Sequence, residues 1–325
     1  MWKVLCLTLT VCVVLGTVGP ADAAKILMFP IQNGAMSRLV DMIKISGLLA
    51  EQGHDITFVV NSYDRPRAQP LENVTTILEF PYPEGAMHGM NMFMTDKEMA
   101  EIGEDMSKTM WLLIEMSQQV CEELLTRNTT VQDIFATEFD LIILDIFESC
   151  SHLIAAHLDI PVITFNSVSY TFHDPYFPTL LAINPSPISL RSDKMTFMER
   201  VTNFIEHVLG LYLNYLVPVL MEDIARRYNV TMARDIRSII GNNIVLQNSD
   251  LSFDYPRPLL QNIVLIGGWH VNPAKPLPAK MESFVSGSGE HGTVLVSFGT
   301  AIKLIDKDRV ESIARVFSKF PQRFI

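Results

Sequence analysis

Short apolar runs alternate with stretches of helical period along this chain, and that alternation leaves few folds open. Lys25-Ile26-Leu27-Met28-Phe29-Pro30 is an apolar run closed by proline, the pattern of a parallel strand buried on both faces. Ser37 stands where a helix N-cap belongs. Leu39, Val40, Met42, Ile43, Leu48 and Leu49 follow at helical spacing, and Gly53 is a natural stop. Ile56-Thr57-Phe58-Val59-Val60 then resumes as strand. Strand, helix and strand in this order open a doubly wound α/β domain. The unit recurs as a strand over 139–144, a helix over 150–158 and a strand over 161–165. Residues 95–126 read as helical, 195–222 as a long helix, and 243–247 and 263–266 as further strands.

A Pro- and Gly-rich connection runs from Pro273 through Pro276 and Pro278 to Gly292. Thr293-Val294-Leu295-Val296-Ser297 starts a fresh α/β unit, with a helix near 308–317, and the sequence stops at Ile325 inside that unit's expected second strand. The expected partition is a signal over 1–23, an α/β domain over 24–272, a linker over 273–292 and an incomplete second domain over 293–325. A length of 325 residues suits about two domains. With 48% hydrophobic and 19% charged residues, a disordered chain is excluded. A net charge of −11 without a dense basic run argues against nucleic acid or an anionic membrane surface as partner. No repeat period suggests a solenoid.

Residues 1–23 read as a secretory signal: Lys3 is the positive start, Val4 to Val18 is almost wholly apolar, and Ala21-Asp22-Ala23 fits the cleavage rule. Three glycosylation sequons begin at Asn73, Asn128 and Asn229. Cys121 and Cys150 are the cysteines left in the mature chain, either paired in an oxidising lumen or present as two buried thiols. No metal-ligand spacing occurs. The apolar run 208–221 is too short for a membrane span and contains Asn214 and Pro218, so it reads as a buried helix, and no segment after the signal reads as a span.

Several collinear stretches resemble the animal UDP-glycosyltransferase family. They include Glu51-Gln52-Gly53-His54-Asp55-Ile56-Thr57, Phe139-Asp140 through Asp145, Ile160-Pro161-Val162, and Met195-Thr196-Phe197-Met198-Glu199-Arg200-Val201. The most specific block joins Asn248-Ser249-Asp250, Tyr255-Pro256-Arg257-Pro258, Ile266-Gly267-Gly268, Pro273-Ala274-Lys275-Pro276-Leu277-Pro278 and His291-Gly292 through Gly299-Thr300. The resemblance implies a GT-B architecture: a Rossmann-like acceptor domain followed by the start of a Rossmann-like domain for UDP-sugar. It implies transfer of a hexosyl or glucuronosyl group to small lipophilic acceptors with inversion, and no cofactor or metal. It also implies the endoplasmic reticulum lumen or membrane, and association with other family members.

In that family a His at the start of the first helix removes the acceptor's proton, and an Asp after a later strand orients it. Asp145 matches the Asp, following the apolar strand 141–144 at its carboxyl end, where open α/β sheets place their sites. Read without the family, it is a helix-start carboxylate. The His position, counted back sixteen residues from His54, is Arg38. A guanidinium does not serve as a general base, but it pairs with a carboxylate such as Asp145 or attracts an anionic acceptor. The expectation is weak transfer to aliphatic alcohols, with amines or ionised acceptors as substrates, or else an inactive site. Ser297, Gly299 and Thr300 form a turn of the kind the family sets against UDP. Met90 and Met94, in a methionine-rich acceptor-facing region, and His173 are expected near the acceptor pocket. The literal GxGxxG at 287–292 precedes a strand and reads as linker, and no GxSxG elbow exists. The family's donor signature, membrane helix and basic tail lie beyond Ile325, so this chain is expected to turn over poorly. The alternative function is a non-catalytic homologue that binds acceptors or regulates complete relatives.

Overall fold

The computed structural model of the chain describes residues 23–33, 36–85, 106–126, 129–167, 184–186, 191–241, 243–252, 254, 258–297 and 307–325. Its centre is a seven-stranded sheet of order β3-β2-β1-β4-β5-β6-β7. The strands are β1 (Lys25–Phe29), β2 (Asp55–Asn61), β3 (Thr76–Phe80), β4 (Leu141–Asp145), β5 (Val162–Asn166), β6 (Ile244–Gln247) and β7 (Ile263–Leu265). Every pairing is parallel. The order reverses at β1, with β2 and β3 on one side and β4 to β7 on the other, which is the doubly wound plan.

Alternation along the strands sorts the core onto two faces. Leu27, Phe29, Val59, Ile142 and Leu144 pack against α2 (Met106–Thr126), α3 (Thr129–Ala136), α4 (Ser149–Leu158), α5 (Phe197–Arg227) and α6 (Ile236–Gly241). Ile26, Met28, Ile56, Phe58 and Ile143 point the other way, onto Leu39 and Met42 of α1 (Met36–Glu51) and onto a short 3-10 turn at Arg65–Leu71. The second face also carries Ile266 and Trp269, from the turn after β7. Helix α1 starts at Met36, so Ser37 lies inside its first turn rather than at its cap.

Cys121 of α2 and Cys150 of α4 form a disulfide with Cα atoms 5.2 Å apart, which settles the open pairing. The bond closes a loop of 29 residues and joins two helices on the same face of the sheet. Replacing Cys121 by alanine is expected to cost about 2–4 kcal/mol, the usual worth of a bond closing a loop of this size. Urea unfolding with and without reductant checks it, and equal midpoints would mean that the thiols are free.

Helix α5 begins on a capping box. The Thr196 hydroxyl accepts from Glu199 N–H at 3.4 Å, and the Glu199 carboxylate accepts from Thr196 N–H at 2.6 Å. Part of the family resemblance, the Thr196–Glu199 spacing, is therefore a helix-start signal. The expectation of a buried helix over 208–221 is corrected. Gly210, Leu213, Pro218 and Met221 are buried, but Val208, Leu211, Tyr212 and Tyr215 are exposed. The run is apolar on more than one side, whereas a helix on a sheet buries only one stripe. By length and composition alone, α5, a helix of 31 residues, also contains an 18-residue stretch of mean hydropathy 1.4, apolar enough to cross a membrane.

Beyond β7 the chain forms α7 (Ala279–Ser286), β8 (Thr293–Val294), α8 (Lys307–Phe317) and β9 (Arg323–Phe324), with β8 and β9 paired in parallel. The stretch expected as a linker thus contains a helix of its own. The GxGxxG segment leads into β8, so it does not follow a strand and open a helix as a dinucleotide fingerprint would.

Candidate functional site

Polar residues close the apolar strands at the carboxyl edge of the large sheet. Gln32 follows β1, Asn61 ends β2, Asp145 ends β4, Asn166 ends β5 and Gln247 ends β6. All five are buried, so each must find partners inside the protein. Gln32 is the hub. Its amide donates to the Pro30 and Val59 carbonyls at 2.9 and 3.1 Å, and its Oε1 accepts from Asn61 N–H at 3.0 Å. Asn61 Nδ2 in turn donates to Asp64 Oδ2 at 3.1 Å. Asn166 Nδ2 donates to Gln247 Oε1 at 2.8 Å, which ties β5 to β6.

Asp145 sits in the middle of this edge, fully buried. Its Oδ2 accepts from Arg38 Nε at 2.9 Å and its Oδ1 from Arg38 Nη2 at 2.6 Å, a bidentate ion pair. Oδ1 also accepts from Phe147 N–H at 2.9 Å, and the Phe147 ring lies 4.1 Å from the guanidinium carbon. The first turn of α1 and the turn after β4 bring the two together across 107 residues of sequence. The two residues matched to the family's base and its orienting carboxylate therefore meet. What they form is a closed salt bridge instead of a His–Asp pair.

Glu148 sequence reasoning passed over. It caps α4 by accepting from Cys150 N–H at 3.3 Å, and its other oxygen accepts from Gln32 N–H at 2.9 Å. One carboxyl thus holds the loop after β1 to the loop after β4. The available signal was an acid three residues past the end of an apolar strand and just before a helix. Burial pushes the Glu148 carboxyl up to about 8 against those two hydrogen bonds, and Asp145 adds to the rise. Burial pushes the neighbouring His152 imidazole down to about 4, opposed by its contact with the Glu148 carbonyl and by Asp145.

These shifts set a pH dependence of stability. Between 4.5 and about 8 the folded chain keeps a proton on Glu148 that the unfolded chain has released, so stability falls as pH rises. His152 acts in the opposite sense between about 4 and 6.5. From 6.5 to about 8 only Glu148 of this pair still changes. Across that window it is expected to remove about 2 kcal/mol of stability. Glu148→Gln loses one acceptor and is less stable overall, but its urea midpoint should stay level across the window. An unchanged downward slope in the variant would assign the loss to another group.

The remaining expected residues divide. Asn73 is exposed in a turn, and Asn229 is exposed just past α5 with a left-handed φ of 54°. Ser297 is exposed just past β8. Asn128, Gly299, Thr300, Met90, Met94 and His173 lie outside the described residues. Among the described residues no group of three or more His, Cys, Asp or Glu side chains is placed to hold a metal ion.

The profile of one family, described as UDP-glucoronosyl and UDP-glucosyl transferase, matches residues 24–325. The chain belongs to this family. Rat 2-hydroxyacylsphingosine 1-beta-galactosyltransferase is 28% identical over 322 residues, covering 95% of this chain and 57% of its own length. Human UDP-glucuronosyltransferase 2B28 is 29% identical over 321 residues, covering 90% of this chain and 58% of its own length. The chain thus spans under three-fifths of the length of these two relatives. Among solved structures, the glycosyltransferase SnogD from Streptomyces nogalater superposes with a TM-score of 0.54 at 14% identity, over 93% of this chain and 66% of its own. The calicheamicin glycosyltransferase CalG4 gives 0.52 at 13% identity, over 93% and 63%. At such identity these structures speak to the fold alone, which is GT-B, with the Rossmann-like sheet described above.

Proposed function

We propose that this chain supplies the acceptor-binding domain and the first part of the donor domain of an inverting UDP-glycosyltransferase. The transferase moves a hexosyl or glucuronosyl group from a UDP-sugar to a small lipophilic acceptor. The observation that carries this reading is the meeting of Arg38 and Asp145 at the carboxyl edge of the sheet. Those are the positions where family members hold the acceptor's reacting group. Ser297, Gly299 and Thr300 are assigned to the UDP diphosphate, Met90, Met94 and His173 to the acceptor pocket, and no metal or cofactor takes part. The expected signal over 1–23 and the exposed Asn73 and Asn229 support a glycosylated chain of the endoplasmic reticulum. Residues 24–272, 273–292 and 293–325 are taken as acceptor domain, connection and beginning of the donor domain.

A second reading rests on the same pair. With Arg38 closed on Asp145, the site holds no His–Asp base, as a non-catalytic acceptor-binding partner of complete transferases would not need one. The test is UDP release in the presence of an acceptor panel. The chain is joined after Val296 to the corresponding donor half of rat 2-hydroxyacylsphingosine 1-beta-galactosyltransferase. Acceptor-dependent UDP release supports the enzyme. Acceptor binding without release, together with co-purification with a complete relative, supports the partner.

A further inference from the structure

We infer that His152 selects the molecules bound at this edge: its Nε2 lone pair receives a hydroxyl or N–H of the sugar acceptor other than the group that reacts. The inference rests on the reading of the carboxyl edge as the acceptor side, and it names a selecting residue there. His152 stands on α4, which begins directly after the turn that carries Phe147. Only 5% of its surface is exposed. Its Nδ1 lies 3.0 Å from the Glu148 carbonyl oxygen. A carbonyl oxygen only accepts, so the ring proton sits on Nδ1 and Nε2 keeps a lone pair. Among the described residues Nε2 has no hydrogen bond, and it is not sealed away without a partner.

Burial holds this imidazole neutral, pushing it down to about 4 against the Glu148 carbonyl and the Asp145 charge. Above that pH the ring presents one hydrogen-bond acceptor and no second donor. Such low basicity makes it a poor proton acceptor in catalysis. Its role is therefore recognition, not proton removal.

The space around the ring suits that role. His152 lines a small, partly open cavity of about 20 Å³. Ile146 walls it from the turn after β4, Met221 from α5 and Ile236 from α6. The other polar side chains on its border are Ser149 and Asn214. A space of this size takes one water or one group of similar bulk. A hydroxyl or an amino group fits and donates to Nε2. Fluorine fits too but brings no proton, so the lone pair stays unpaired, and a buried polar atom left so is costly. A methoxy group has no proton either and is larger than the space.

The test reads binding by calorimetry on the 325-residue chain, without a sugar donor. The probes are 2-naphthols that share the reacting hydroxyl and carry hydroxyl, amino, fluoro or methoxy at the remote 6-position. The hydroxyl and amino probes are expected to bind about tenfold tighter than the fluoro and methoxy probes, the scale of one hydrogen bond. His152→Asn keeps an N–H near the Nδ1 position for the Glu148 carbonyl but ends short of Nε2. It should bring the hydroxyl and fluoro probes level. Val217→Ile leaves the imidazole intact and adds one carbon at the cavity wall, and it should level them as well. A purely structural His152 would lower stability in the variant without moving the ratio between probes. Equal binding of the hydroxyl and fluoro probes by the parent chain, or a preference that survives in either variant, overturns the inference. If His152→Asn does not fold, Val217→Ile decides alone. Transfer is read separately in the fused protein. UDP release with no preference among the probes would sink this inference and leave the transferase reading standing. A preference in binding without UDP release would do the reverse.

Discussion

Replacing Asp145 by alanine is expected to destabilise the acceptor domain by about 3–5 kcal/mol, because it leaves a buried guanidinium without its counter-ion. Asp145 is fully buried and Arg38 nearly so, and the three hydrogen bonds Asp145 accepts all lie between 2.6 and 2.9 Å. A surface pair would lose under about 1 kcal/mol. Burial of both charges decides between the two scales. The companion variant combines Arg38→Met with Asp145→Asn, which removes both charges and keeps an acceptor for the Phe147 N–H. Exchanging a whole buried pair for neutral groups of similar volume is often close to neutral, so most of the loss should return. Urea unfolding of the three proteins measures it. A loss near the surface value for Asp145→Ala would mean that the pair is not formed in solution. A double variant as unstable as the single one would mean that lost packing, rather than the stranded charge, sets the cost.

The sheet was largely legible in the sequence because its strands are buried on both faces. Such strands read as continuous apolar runs, and β1, β2, β4, β5 and β6 each stood out in that way. Strand β3 did not. It lies at the edge of the sheet, and two of its five residues, Thr76 and Glu79, are exposed, so it resembles a loop. Helix α5 misled for a different reason. Its composition signals burial, but burial follows the stripe that meets the sheet, and Tyr212 and Tyr215 lie off that stripe. The disulfide stayed open because sequence cannot show that α2 and α4 share a face.

The site was legible at one residue and hidden at the others. Asp145 announced itself as a charge at the carboxyl end of an apolar strand. Gln32, Asn61, Asn166 and Gln247 carry the same mark, since each interrupts or closes an apolar run at that edge, and the pattern emerges once the strand order is known. Glu148 finds its partners in backbone N–H groups of Gln32 and Cys150, which no side-chain motif encodes. Arg38 drew notice through the family spacing. By helical period alone it is a charged residue between Ser37 and Leu39, and its partners Asp145 and Phe147 lie more than 100 residues further along the chain.

The second large effect concerns Arg38→His. In the protein fused to a relative's donor half, this change is expected to raise turnover of an aliphatic alcohol by about 100-fold or more, the usual worth of a positioned general base. The geometry favours it. The imidazole Nε2 stands as many bonds from the backbone as Arg38 Nε, which lies 2.9 Å from Asp145 Oδ2. One ring nitrogen can therefore hold the carboxylate while the other faces the acceptor, and Asp145 would stabilise the imidazolium formed during attack. The same change removes the guanidinium, so any preference for ionised acceptors should fall as alcohol turnover rises. Steady-state rates with 2-naphthylmethanol and 2-naphthoate, measured side by side, separate the cases. Opposite movements of the two rates identify residue 38 as the selector of acceptor class. If the alcohol rate stays flat while the protein remains folded, the barrier lies elsewhere in the site, and the Arg38–Asp145 pair is structural rather than a substituted base.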